Sequence, residues 1–217
     1  MPTAKSSPFR LLVEGRDDLH SITNLLQRHG YDWNNNALAP FVRDSGGIEP
    51  LFEALPAALK TLVRVGVVID ADLSASNRWA RIEAILKASG IEPSPGPNQQ
   101  GLILPLAGPG RLERFGIWIM PNNQAAGVLE DFLARLVPAG DTCWHHADTS
   151  TSQARSLGAP LRPSDHMKGA IHSWLAWQNP SGQPFGTALN ARVLGHDSPE
   201  ALNFVDWFKR LFGPSAT

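Results

Sequence analysis

The sequence predicts a three-layer α/β fold, in which a parallel sheet carries helices on both faces and a helical appendage follows at the C-terminal end. Three observations carry this. Short apolar runs at 9–13, 65–69 and 117–120 lack strict alternation, as strands buried on both faces do. Amphipathic helical patterns separate the runs, and that alternation builds βαβ units. Beyond Pro138 the alternation stops, so 1–137 is read as the α/β domain and 138–217 as a mainly helical extension packed on it.

Residues 9–13 form the first strand and end at Glu14-Gly15. Asp17 or Asp18 then caps a helix whose apolar stripe is Leu19, Ile22, Leu25 and Leu26, closed by Gly30. An Asn-rich connection leads to a second strand at 40–44 and a tight turn, Ser45-Gly46-Gly47. Leu51, Leu55, Ala58 and Leu59 mark the helix over 48–61, with Pro50 in its first turn. The third strand, 65–69, is rich in β-branched residues and precedes a helix over 76–89 carrying Trp79, Ile82, Ile85 and Leu86. Residues 92–116 are different in kind: Pro93, Pro95, Pro97, Pro105 and Pro109 recur among glycines, and 101–104 reads as an edge strand paired by a hairpin to the next strand. That buried strand, at 117–120, is stopped by Pro121-Asn122-Asn123, and 127–136 is helical. In the extension, 141–160 is polar and poorly periodic, whereas 164–177 and 199–212 are helices around a Pro/Gly loop at 179–186.

Hydrophobic residues are 42% and charged residues 18% of the 217, enough to bury a core. The net charge of −1 provides no overall basic field, which argues against strong non-specific affinity for nucleic acid. A local basic surface from Arg43, Arg64, Arg78, Arg81, Arg111 and Arg114 is the remaining route to phosphate binding. Cys143 is the sole cysteine, so no intrachain disulfide forms. The leading residues hold no apolar signal core, and no apolar run approaches the roughly 18 residues of a membrane span. These features lead to the expectation of a soluble cytoplasmic protein.

The chemistry points to the end of the third strand, where Asp70-Ala71-Asp72 closes the apolar run. In extended chain two residues apart share a side, and the carboxyl end of a strand is where ligands sit in an open α/β sheet. Glu14 ends the first strand, and a 2-1-3-4 strand order would bring it to the same rim. Carboxylates converging there without cations repel, and a hard divalent ion relieves that cost.

At these residues the chain resembles a known family. Val13-Glu14-Gly15-Arg16-Asp17-Asp18 with Val68-Ile69-Asp70-Ala71-Asp72 looks like the Toprim domain of topoisomerases, primases, recombination proteins and overcoming-lysogenization-defect nucleases. A narrower resemblance, to small uncharacterised Toprim-like proteins, is carried by 116–123, Leu129-Glu130-Asp131-Phe132 and Trp174-Leu175-Ala176-Trp177-Gln178. The resemblance implies a Toprim-like, Rossmann-like sheet, with Glu14 as metal ligand or general base and Asp70 and Asp72 as ligands of Mg²⁺ (or Mn²⁺). In the nuclease branch a helix carboxylate serves a second metal, for which Glu130 is the candidate and Asp131 the next, and a downstream lysine assists, for which Lys168 stands. The implied function is metal-dependent phosphoryl transfer by a nuclease or phosphodiesterase on nucleic acid. The alternative is a non-catalytic module that binds Mg²⁺ with phosphate or nucleic acid beside a protein partner in repair or defence.

The sequence departs from the family after Asp72, where Leu73-Ser74-Ala75-Ser76 replaces the frequent further acid or glycine. There is no P-loop, and Tyr31, the one tyrosine, sits in a connection, which argues against strand passage through a tyrosine. Cys143, His145, His146 and Asp148 are zinc-ligating types in no standard spacing and read as loop residues. Gly46-Gly47 reads as a turn or a phosphate cradle. Trp144, Trp174, Trp177 and Trp207 are read as packing, with base stacking as the alternative.

Overall fold

A computed structural model describes residues 7–213 except 94 and 107–109. The start of the leading segment and Pro109 therefore lie outside the described residues. Five strands form one sheet: β1 (Phe9–Val13), β2 (Phe41–Asp44), β3 (Arg64–Asp70), β4 (Leu102–Pro105) and β5 (Arg114–Met120). Their order is β2-β1-β3-β5-β4, parallel except for the β4–β5 hairpin. The chain direction across the sheet reverses between β1 and β3, and a ligand crevice is expected at that switch point.

Both faces of the sheet are covered, so the strands alternate between two cores. Leu11, Val13, Val68, Trp118 and Met120 face one; Leu12, Val65, Val67, Ile69, Phe115, Ile117 and Ile119 face the other. Helices α2 (Ile48–Thr61) and α3 (Ala75–Ala88) cover the second face with Leu51, Phe52, Leu55, Ile82 and Leu86. The first face meets α1 (Arg16–Arg28), α4 (Leu129–Ala134) and the extension: α5 (Thr142–Ser156), α6 (His166–Ala176), α7 (Phe185–Asn190) and α8 (Pro199–Phe212). The extension thus supplies much of one layer. Trp174 and Trp207 are core residues at 1% and 0% exposure, while Trp177 is 48% exposed and stacks on His146.

Helix α8 lies close to the strands because Gly66 and Gly116, register partners in β3 and β5, leave room for Leu211. A Cβ on Gly116 would stand 2.6 Å from Leu211 Cδ2, and one on Gly66 would stand 2.7 Å from Leu11 Cδ1. Gly116→Val is therefore expected to destabilise the protein by about 1–3 kcal/mol through overpacking, read as a fall in denaturation midpoint with an unchanged slope.

The predicted basic surface does not form as a unit. Arg64 is buried at the start of β3 and donates to the carbonyls of Phe212 and Gly213, and Arg114 donates to that of Arg210. These guanidiniums cap the C-terminal carbonyls of α8, at the end of the sheet away from the strand carboxyl ends. Arg81 pairs with Glu49, and Arg78 with Asp72.

Candidate functional site: an acidic rim at the strand switch point

The carboxyl ends of β1 and β3 bring Glu14 and Asp70 together. Glu14 Oε1 accepts a hydrogen bond of 2.7 Å from the Asp70 backbone N–H. That bond reaches across the switch point and leaves Glu14 Oε2 without a protein partner among the described residues. Burial pushes the Glu14 carboxyl above its ordinary value.

Asp18 joins them from the first turn of α1. Its position comes from the helical stripe, since Asp18 is four residues before Ile22 on the face that packs on the sheet. A capping role is expected of Asp17 or Asp18, and Asp18 does cap: Oδ2 accepts from the Gly15 N–H at 3.0 Å. It also does more. Asp18 is only 7% exposed, and its other oxygen is buried without a hydrogen-bond partner among the described residues. Burial and then the neighbouring Glu14 charge push its carboxyl up to about 7.

Asp70 is the most perturbed. Burial comes first, followed by the charges of Asp18, Glu14, Glu130 and Asp72, and together they push its carboxyl up to about 9. Its Oδ1 is buried and unpartnered among the described residues. Asp72 is unlike Asp70. The extended chain ends at Asp70, and Asp72 has φ 49°, so the two-residue period no longer sets its side-chain direction. Its side chain is half exposed and pairs with Arg78, whose Nε also donates to the Asp70 carbonyl at 3.1 Å. This pair arises from neither helical spacing nor strand register. With the Asp72 carboxylate half exposed, solvent screens the pair and leaves it weak enough to open.

Glu130 enters from α4 and is 5% exposed, with Lys168 Nζ of α6 at 3.2 Å from its Oε1. Glu130 and Lys168 are thus in contact, whereas Asp131 caps α4 by accepting from the Val128 N–H. The charge of Glu130 outweighs burial and pushes the Lys168 ammonium up.

The rim therefore has two parts. Asp72 and Glu130 each hold their own cation. Glu14, Asp18 and Asp70 have no salt bridge among the described residues. No group of three or more acidic, imidazole or thiol side chains among the described residues stands ready to hold a metal ion. The donor chemistry still fits a hard divalent cation: carboxylate oxygens, two of them buried without partners among the described residues, crowded enough to disfavour their own ionisation. Side-chain rotations would be needed to close such a site.

The remaining sequence candidates lie elsewhere. His145, His146 and Asp148 sit on α5, where Asp148 pairs with His166 at 2.6 Å, and Cys143 is exposed. Gly46 and Gly47 make the turn before α2, where the Gly47 N–H donates to the Glu14 carbonyl at 2.8 Å. No described helix is long and apolar enough to cross a membrane.

The chain belongs to the family described as "Protein of unknown function (DUF3226)", whose sequence pattern matches residues 8–213. The match runs through both the α/β part and the helical extension. No curated protein and no solved structure matches the chain.

Proposed function

We propose that this family member is a Toprim-like, Mg²⁺- or Mn²⁺-dependent phosphoryl-transfer protein, a nuclease or phosphodiesterase acting on nucleic acid. The observation that carries the reading is the trio Glu14, Asp18 and Asp70 at the switch point, without a salt bridge and with two buried oxygens unpartnered among the described residues. Carboxylates left so are costly unless a cation is part of the functional state.

Asp70 and Asp18 would hold the ion, with Asp72 joining them when its pair with Arg78 opens. Once bound, the ion would neutralise phosphate charge and lower the pKa of a coordinated water. Glu14 Oε2 would accept the proton of the attacking water as its oxygen bonds to phosphorus and the P–O bond to the leaving oxygen breaks, that oxygen taking a proton from solvent, while Oε1 remains fixed by the Asp70 N–H. Lys168 Nζ stands at the edge of the rim, held by Glu130, to donate to a phosphate oxygen. Arg78, released from Asp72, is a second donor for the same group.

The test is incubation of pure protein with Mg²⁺ or Mn²⁺ and labelled single- and double-stranded DNA and RNA. Cleavage is expected, and Asp70→Asn and Glu14→Gln should each lose at least about 100-fold of it. The same activity in both variants would sink the reading. One observation favours a second reading, a binding module that engages phosphate without cutting: two of the five carboxylates already hold cations. Metal-dependent binding with no product under any condition would select it.

A further inference from the structure

Beside the acidic rim lies a cleft of about 600 Å³, within the size range of small-ligand sites. One wall is the turn into α3, with Leu73 and Trp79; the other is the segment after β5, with Asn123. The walls meet where Asp72 and Gly127 exchange backbone hydrogen bonds of 2.9 and 2.8 Å. Rim and cleft therefore share one piece of backbone, with Asp72 in the rim and Leu73, next in the chain, in the cleft.

The described residues lining the cleft include no charged side chain. Leu73 is 85% exposed, an apolar group held in water at the cleft mouth. Trp79 lies against Gly96, where a Cβ would come within 2.9 Å of the indole. Asn123 is 4% exposed, and its amide is fixed because Oδ1 accepts from the Ile119 N–H at 2.7 Å. That leaves Nδ2, buried and without an acceptor among the described residues. A buried amide donor without a partner is a cost that a ligand acceptor would remove.

We propose that this cleft takes an unstacked nucleobase of a single-stranded substrate, whose phosphate then falls at the carboxylate rim. The proposal rests on the phosphoryl-transfer reading and adds the substrate class. An uncharged wall suits a base rather than a phosphate. Trp79 and Leu73 offer apolar surface to a planar ring, and Asn123 Nδ2 offers one fixed donor to a base carbonyl or ring nitrogen. A base stacked and paired inside a duplex has neither its faces nor its Watson–Crick edge free and would have to leave the stack to enter such a site.

The test measures anisotropy of labelled oligothymidylate, an abasic chain of equal length, and a duplex, all in Ca²⁺. The expected result is oligothymidylate binding about tenfold more tightly than either of the others. Trp79→Leu should remove most of that preference and Leu73→Ser about half of it, with the weaker abasic binding unchanged. Leu73 is so exposed that its variant folds as the wild type does, and melting curves check Trp79→Leu. Equal affinity for the base-bearing and abasic chains, no binding at all, or indifference to both variants would overturn the proposal. Base-dependent binding without cleavage in Mg²⁺ would uphold the cleft and sink the enzyme. Cleavage indifferent to bases would do the reverse.

Discussion

Asp70→Asn is expected to make the metal-free protein more stable and blind to Mg²⁺. Substitutions at partly buried positions ordinarily destabilise, so a gain is diagnostic. In the folded chain Asp70 carries the largest upward displacement in the rim, to about 9, because burial and four neighbouring carboxylates oppose its charge. Asparagine keeps the shape and removes the charge. The Glu14 bond to the backbone N–H at position 70 does not involve the side chain and survives. The expected gain at pH 8 is about 2–4 kcal/mol, or roughly 5–10 °C in melting temperature for a chain of this size. Saturating Mg²⁺ should raise the wild type by about 2.7 kcal/mol at a hundred times its Kd. The variant, lacking one anionic ligand, should barely respond. Differential scanning calorimetry with and without Mg²⁺ reads both effects. A variant less stable than the metal-free wild type, or one with an undiminished Mg²⁺ response, would contradict this picture of the rim.

Much of this arrangement is legible from the residues. The apolar runs around Leu12, Val67 and Ile117 contain residues that face both cores, and their lack of alternation reports that directly. The Pro-rich stretch before β5 contains the antiparallel edge strand, where Pro105 is tolerated. Helix α5 is not legible. Only Ala147 and Thr151 of it are buried, and it meets α6 through Thr151 close to Gly169 and an edge-to-face contact of Trp144 on Trp174. Such contacts leave no hydrophobic period. Its local signals are at the ends: Asp141, whose side chain accepts from the Trp144 N–H, and Gly158, which follows the last turn at φ 98°. Helix α7 is hidden likewise, because Gly186 allows it to press against His20 and Asn24 of α1 and it is six residues long. In the rim, Glu14 and Asp70 are visible as strand-end acids. Asp18 reads as a cap alone, although its place on the stripe with Ile22 and Leu25 marks it as inward-facing. The Arg78–Asp72 pair depends on the turn at φ 49°, a backbone event that no side-chain period encodes.

Asp18 extends the consequences to pH. Metal-free wild type is expected to lose stability as pH rises from 6 to 9, the reverse of ordinary acid denaturation. Asp18 and Asp70 are displaced upward in the folded state, to about 7 and about 9, and Glu14 in the same direction. In the unfolded chain these carboxyls lose their protons near pH 4. Between those limits the folded state binds more protons than the unfolded state, so unfolding free energy falls as pH climbs. Their favourable contribution is complete below about pH 4 and is lost as pH passes through 7 and then 9. His196 works against this at lower pH. Its imidazole is displaced downward by burial and by Arg28, so its contribution is present above about 6.5 and lost as pH falls. The window from pH 7 to 9 therefore isolates the rim. With the mutual coupling of the carboxyls discounted, the expected loss there is about 2 kcal/mol, or roughly 4–8 °C. Mg²⁺ should flatten the slope by stabilising more at pH 9 than at pH 7, because it competes with the protons it displaces. The variant carrying both Asp18→Asn and Asp70→Asn should show neither the slope nor the Mg²⁺ effect. A wild-type melting temperature that is flat or rising across this window would mean that the three inner carboxylates are not held apart from their charges as the rim requires.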